Sequence, residues 1–184
     1  MWDDRYTKNN DMPQACQVLR EFSHLLPSQA AALDVACGLG GNALLLSKLG
    51  LDTTAWDLSS VGIEKLNHLA EQQAMNITAQ VHDVVAEPPE ENSFDVIVVS
   101  YFLEREIFPA LFAALKPNGL MFYETFIVDK PAGTGPSNPD YLLKQNELLS
   151  LCDGLVVRAY REEGMVGNVV EGTRNVAMLV GQKL

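Results

Sequence analysis

The sequence is poor in cysteine, in clustered positive charge and in long hydrophobic runs, and each shortage removes a class of function. Its three cysteines, Cys16, Cys37 and Cys152, lie far apart and form no CxxC pair. An odd, sparse count offers neither a disulfide framework nor zinc-ligand spacing, and it suits a reducing compartment. The three histidines, His24, His68 and His82, are isolated from one another, so no metal is expected. Thirteen lysines and arginines face 24 aspartates and glutamates, for a formal net charge of −11. Nucleic acid is therefore not an expected partner, because holding a phosphate backbone requires clustered cations. Apolar runs reach only strand length, well short of the ~18 residues of a membrane span. The opening Met-Trp-Asp-Asp-Arg-Tyr is polar and charged, unlike a secretory leader. The expectation is a soluble, cytoplasmic protein with no membrane partner; oligomeric state is not legible.

What the sequence does contain is an ordinary globular mixture. Hydrophobic residues make up 47% and charged residues 20% of 184 positions, enough apolar material for one full-sized core. Strand-length apolar runs alternate with helical patterns, which marks βαβ units and a parallel sheet. A helix is predicted over 13–26, with Val18, Leu19, Phe22 and Leu26 on its inner face. A buried strand over 31–36 leads into the glycine loop 37–41. A helix follows through Leu44–Leu49, with Gly50 as its stop. The next strand, 52–56, ends at Asp57, and Ser59 or Ser60 can cap a helix that buries Ile63, Leu66 and Ala70. Strands are predicted at 77–82, before Asp83, and at 94–100. A helix then buries Ile107, Phe108, Leu111, Phe112 and Leu115. Lys-Pro-Asn-Gly at 116–119 reads as a turn, and 120–127 as a fifth strand. Residues 129–140 are loop-like, 141–152 helical, and 155–160 and 175–181 form two late strands that pair antiparallel.

The chemistry concentrates around Leu33-Asp34-Val35-Ala36-Cys37-Gly38-Leu39-Gly40-Gly41-Asn42-Ala43. A strand that turns tightly into a helix needs glycine where a ligand approaches the backbone, and the helix start offers free N–H groups. Gly38-x-Gly40-x-x-Ala43 also fits the dinucleotide fingerprint, with Asp57 lying 19 residues beyond Gly38 in the ribose position of an NAD enzyme. Against that stands Asp34, where the dinucleotide pattern prefers an apolar residue. Asp57 ends the second strand, where it can accept from ribose hydroxyls, and Asp83 ends the third, where it can accept from an adenine amine. Acids at three successive strand ends describe a single nucleoside lying across the sheet edge, with no provision for a pyrophosphate.

Asp-Val-Ala-Cys-Gly-Leu-Gly (34–40), Asp57, Asp83 ahead of Phe-Asp-Val-Ile (94–97) and Leu-Lys-Pro-Asn-Gly-Leu (115–120) resemble successive motifs of class I S-adenosylmethionine-dependent methyltransferases. Trp2-Asp3-x-Arg5-Tyr6 and Asn138-Pro139-Asp140-Tyr141-Leu142-Leu143 are similar to the tellurite-resistance-like branch. The resemblance implies a doubly wound, Rossmann-like α/β fold with a seven-stranded, mostly parallel sheet and an antiparallel last strand. It implies one domain: a lid and helix (1–30), a cofactor-binding half (31–127) and an acceptor side (128–184). Its cofactor would be S-adenosylmethionine, leaving S-adenosylhomocysteine as product. Gly38 and Gly40 would pass beneath it, Asp57 would hold the ribose and Asp83 the adenine. Ser100 would face the methionyl end, and Arg5 and Tyr6 would close over it. Asp34, Cys37, Asn42, Leu58 and Val84 complete the expected cofactor set.

On this reading the acceptor pocket is built from Tyr101, Glu104, Arg105, Glu124, Thr125 and the 129–140 loop, which follow the carboxyl ends of the fourth and fifth strands. After the fourth strand stands Ser100-Tyr101-Phe102-Leu103 rather than an Asp/Asn-Pro-Pro-Tyr/Phe motif, which argues against methylation of a base amine. A chain of this length favours a small-molecule acceptor. A soft nucleophile, a thiol or a chalcogen oxyanion, would need no general base, and no catalytic residue is identified. The alternatives are an NAD(P)-dependent oxidoreductase and a non-catalytic S-adenosylmethionine-binding module.

Overall fold

The computed structural model describes residues 2–8 and 11–184, apart from the side chain of Trp2. Trp2, the first residue of the opening signature, therefore lies outside the described side chains. Seven strands make one sheet: β1 (Ala31–Val35), β2 (Asp52–Asp57), β3 (Ile77–Val81), β4 (Phe94–Ser100), β5 (Leu115–Phe126), β6 (Val156–Glu162) and β7 (Val176–Gln182). Their order is β3-β2-β1-β4-β5-β7-β6. The first five run parallel, and β7 runs antiparallel to both of its neighbours. The expected doubly wound, seven-stranded α/β sheet is the observed one. Strand order reverses between β1 and β4, and open α/β sheets bind ligands in the crevice at such a switch point.

Side chains that alternate along the inner strands supply two apolar faces. Leu33, Val35, Ile97, Val99, Met121 and Tyr123 turn to one face. There α5 (Phe108–Ala114) and α6 (Glu147–Leu151) cover them with Phe108, Leu111 and Leu148. Ala32, Val96, Val98, Phe122, Met178 and Val180 turn to the other face, against Val18 and Leu19 of α2 (Gln17–Glu21) and Leu46 of α3 (Gly41–Lys48). α4 (Ser60–Gln72) buries Ile63, Leu66 and Ala70, and Ser59 Oγ caps it by accepting from Gly62 N–H. An opening helix, α1 (Trp2–Lys8), packs against α4.

Four segments differ from the sequence reading. The helix expected over 13–26 shrinks to α2 and a 3-10 turn at Ser23–Leu25. Its first N–H groups are taken from the side: Cys16 N–H donates to Asn42 Oδ1 and Val18 N–H to Glu124 Oε2. The helix expected over 141–152 is replaced by a 3-10 turn at Pro139–Tyr141, an extended Leu143 bridged to Ile127, and the short α6. Asn146, at φ 59°, sits in the left-handed region and marks the new helix start. The 116–119 turn is absorbed into β5 as a bulge between the Phe94 and Val96 pairings, with Asn118 left-handed at φ 66°. Leu115 belongs to β5 rather than to the preceding helix, and Ile107 to a 3-10 turn ahead of α5.

Candidate functional site

The switch point is built around the turn from β1 into α3. Ala36, Gly38 and Gly40 all take positive φ, at 51°, 56° and 82°. Gly40 is required twice over, because a Cβ there would lie 2.3 Å from Leu66 Cδ1 in a backbone conformation that L side chains avoid. Gly38 N–H donates to Asp57 Oδ2 at 2.8 Å, and Ser59 N–H donates to Asp57 Oδ1 at 2.8 Å. Asp57, nearly buried at the end of β2, thus pins the glycine turn to the start of α4. A carboxylate has about four acceptor positions, so each oxygen keeps one beyond these bonds.

Behind the turn lies a buried polar web. Asp34 has no exposed surface. It accepts from Asn42 Nδ2 and from Ala43 N–H, each at 3.1 Å. Burial nevertheless pushes its carboxyl up to about 7, with the charge of Asp57 adding to the effect. Asn42 Nδ2 also donates to Ser100 Oγ at 2.9 Å, and its carbonyl accepts from Cys16 N–H at 2.9 Å. One amide therefore joins the ends of β1 and β4 to the segment leading into α2. Cys37 is buried beside Asp34 and Asp57, and desolvation and both charges push its thiol well up. That leaves no thiolate at neutral pH.

Next along the edge, Glu124 of β5 is almost completely buried. Its Oε1 accepts from the Tyr101 hydroxyl at 2.7 Å and its Oε2 from Val18 N–H at 2.7 Å. No ion pair reaches it among the described residues. Tyr101, just past β4, is a non-glycine residue at φ 56°, a conformation that costs about 1–3 kcal/mol and gathers at functional sites. Its N–H donates to Glu124 O at 2.8 Å, and its ring lies 5.0 Å from that of Phe126. Half of the residue is exposed, at 52%. Burial of the phenol, together with Glu124, pushes its pKa well above the usual value. Thr125 is buried in β5.

The remaining expected acceptor residues sit elsewhere. Glu104 accepts from Glu106 N–H at the start of a 3-10 turn. The Arg105 guanidinium grips Glu147 with Nε at 2.7 Å and Nη2 at 3.1 Å. It also donates to the carbonyls of Asp140 and Leu142 at 3.0 and 3.1 Å. That grip ties the end of the 129–140 loop to α6 and lowers the Glu147 carboxyl pKa through the same hydrogen bond.

At the opposite side of the glycine turn, α1 lies across α4. The Asp3 carboxylate accepts from the Ser59 hydroxyl and from Val61 N–H, and Lys65 Nζ donates to Tyr6 O at 2.7 Å. The Tyr6 ring covers Gly38, its hydroxyl 3.0 Å from where a Cβ would stand. Burial, then Asp57, raises the Tyr6 phenol pKa. Arg5 is exposed on α1. Asp83 is exposed beyond β3 and accepts from Val85 and Ala86 N–H with one oxygen, at 3.0 and 3.2 Å. Val84 is buried, whereas Leu58 is 61% exposed. His82 stacks on Trp56 at 3.9 Å, beneath this corner. The sequence reading missed Asp3 and Lys65 as the anchors of α1, and Cys16 and Glu147 as partners. Only Asp3 carried a signal, its place in the opening signature.

The sequence profile of a methyltransferase domain matches residues 32–119, from β1 into the β5 bulge. The crystal structure of TehB from Haemophilus influenzae superposes with a TM-score of 0.77 and 25% identity, covering all of this chain and 67% of that one. The matched region, residues 32–119, is a methyltransferase domain, and the chain is similar to S-adenosylmethionine-dependent methyltransferases of the tellurite-resistance-like type. Among curated proteins, this methyltransferase domain is 39% identical over 92 residues to the "Probable S-adenosyl-L-methionine-dependent methyltransferase TehB" of H. influenzae. That match spans 48% of this chain and 32% of the relative, so only a third of the relative's length is represented. A "Ubiquinone biosynthesis O-methyltransferase" of Xanthomonas campestris is 34% identical over 104 residues, 52% of this chain and 43% of that protein. The oxidoreductase alternative is set aside by the methyltransferase profile. No described helix is long and apolar enough to cross a membrane.

Proposed function

We propose that the chain transfers the methyl group of S-adenosylmethionine to a small-molecule acceptor with a soft nucleophilic atom, a thiol or a chalcogen oxyanion. The observation that carries this reading is the row of carboxylates at the ends of β1, β2 and β3 around a left-handed glycine turn. The donor set suits an adenosyl group. Asp57 keeps acceptor positions for a ribose diol, and Asp83 keeps an oxygen beyond its two N–H bonds. Gly38 and Gly40 would let the cofactor pass close to the backbone, Cys37, Leu58 and Val84 would flank it, and Asn42 and Ser100 would face its methionyl end. Arg5 and Tyr6 would close over it from α1. The bound cofactor supplies its own electrophile, a methyl group on a sulfonium. The protein's part is to position the acceptor in line and to exclude water. Tyr101, Glu124, Thr125 and the 129–140 loop would form the acceptor side. Glu104, which caps the 3-10 turn ahead of α5, stays outside this set, and Arg105 holds the loop in place. Within the tellurite-resistance-like type, the soft-acceptor reading rests on the likeness to TehB.

Calorimetric titration with S-adenosylhomocysteine, NADH and NADPH tests the cofactor half. Binding is expected for the first alone, and Asp57→Ala should weaken it by at least about tenfold, since hydrogen bonds to a charged group contribute about 1.5–3 kcal/mol each. Unchanged affinity in that variant refutes the site. Binding without turnover in a broad acceptor screen would make the domain a non-catalytic binding module.

A further inference from the structure

We infer that Asn42 is a positioning residue that couples the cofactor end of the site to α2, so that α2 is held in place while the cofactor is bound. The inference rests on the methyltransferase reading above and deepens it. Of the two residues placed at the methionyl end, Ser100 meets the cofactor and Asn42 acts through it. Asn42 has no proton to spare for a ligand. It is 4% exposed, and its Nδ2 gives one proton to Asp34 Oδ1 at 3.1 Å and the other to Ser100 Oγ at 2.9 Å. Those are the two protons that an amide nitrogen carries. Ser100 is the reverse case. Its oxygen accepts from Asn42, and its own proton has no acceptor among the described residues. A hydroxyl aimed in this way suits the carboxylate of a methionyl group.

The amide can stand only one way round. Its oxygen accepts from Cys16 N–H at 2.9 Å, and turning it over would set one donor against another. Cys16 lies just ahead of α2. Further along, Val18 N–H donates to Glu124 Oε2 at 2.7 Å, and Glu124 Oε1 accepts from the Tyr101 hydroxyl at 2.7 Å. Tyr101 follows Ser100 in the chain, and its N–H donates to Glu124 O at 2.8 Å. The contacts therefore close a ring through Ser100, Asn42, Cys16, Val18, Glu124 and Tyr101, drawn from β4, α3, α2 and β5.

A closed polar network of this kind responds as a unit. If α2 lifts away, the Asn42 carbonyl loses its donor, the amide is free to turn, and Ser100 is no longer aimed. The helix has only five residues, too few to persist alone. Its place depends on the two side-chain anchors and on Val18 and Leu19 packed beneath it. Local opening of such an element costs far less than global unfolding, and a ligand that binds only the closed ring suppresses that opening by mass action. On its outer side, Gln17 donates to Thr173 Oγ1 at 2.9 Å and Glu21 pairs with Arg161 at 3.7 Å. Restraint on α2 is thus passed to the segment between β6 and β7.

The test follows amide exchange by NMR in wild type, Asn42→Ala and Ser100→Ala, with S-adenosylhomocysteine as the probe. In wild type, the probe at about twenty times its Kd should slow exchange at Cys16, Val18 and Arg20 by at least about fivefold. In Asn42→Ala, at the same multiple of its own Kd, the slowing should fall below about twofold, because α2 then opens without disturbing the site. Ser100→Ala breaks the ring at another link and leaves the Asn42–Cys16 bond in place, so it serves should Asn42→Ala fail to fold. There the probe should bind at least about tenfold more weakly, through the lost bond to its carboxylate, and should again leave α2 exchange nearly unchanged. A wild type whose α2 amides exchange equally fast with and without the probe overturns the coupling and leaves the methyltransferase reading intact. Wild-type slowing retained in either variant also overturns it, and makes Asn42 a plain structural anchor. Absence of S-adenosylhomocysteine binding by wild type overturns both.

Discussion

Asp34 is the residue at which folding and site chemistry are in tension. Its carboxyl is fully buried, and the hydrogen bonds from Asn42 and Ala43 do not offset the lost solvation, so it titrates near about 7 in the folded chain and at about 3.9 unfolded. A raised carboxyl pKa means that the folded state binds the proton more tightly. This contribution to stability is complete below about pH 4 and is lost as pH rises through about 7. Asp95 and Glu147 are shifted downward, so their contributions change only at more acidic pH. Denaturant titrations at pH 5 and pH 7 should show stability falling by about 2–3 kcal/mol, and Asp34→Asn should remove most of that fall. An unchanged slope in the variant would assign it to another group. At this scale the glycine turn and its acids were legible, because a ligand approaching a backbone demands small residues at fixed spacing. The partners of Glu124 and Arg105 were not. The Val18–Glu124 bond spans 106 residues, and Arg105 is satisfied by carbonyls 35 and 37 residues away.

Among the elements, strands were read more accurately than helices, for a physical reason. The near-continuous apolar runs of β1, β4 and β7 match burial on both sheet faces, so little else could satisfy them. The helices expected over 13–26 and 141–152 were overridden by tertiary contacts. In the first, Asn42 at the start of α3 and Glu124 of β5 capture the backbone N–H groups that helix continuation would have used. In the second, Leu143 leaves helical geometry to bridge Ile127. The Arg105 grip then fixes the segment between them. Arg105→Ala should lower global stability by about 1.5–3 kcal/mol, the range for hydrogen bonds to charged groups. It should also speed amide exchange across 142–151 well beyond that in β1 or β4. Uniform acceleration over the whole chain would show that the grip is not local.

For the molecule as a whole, the composition has a direct consequence. A net charge of −11 on 184 residues opposes compaction through self-repulsion, and that repulsion is screened once the Debye length drops below about 10 Å. Raising sodium chloride from 10 to 300 mM should therefore raise Tm by about 2–4 °C, the shift that accompanies roughly 1 kcal/mol in a chain of this size. A fall in Tm would show that favourable ion pairs outweigh the repulsion.

The place of β7 also governs how the molecule can be assembled. The strand that comes last in sequence fills the gap between β5 and β6 and pairs with both. On the ribosome, β5 must wait with a bare hydrogen-bonding flank until residues 176–182 emerge, and β6 has no place in the sheet before then. Nascent chains stalled short of that point should bind hydrophobic-surface chaperones and resist compaction, and release of the last strand should complete the sheet in one step.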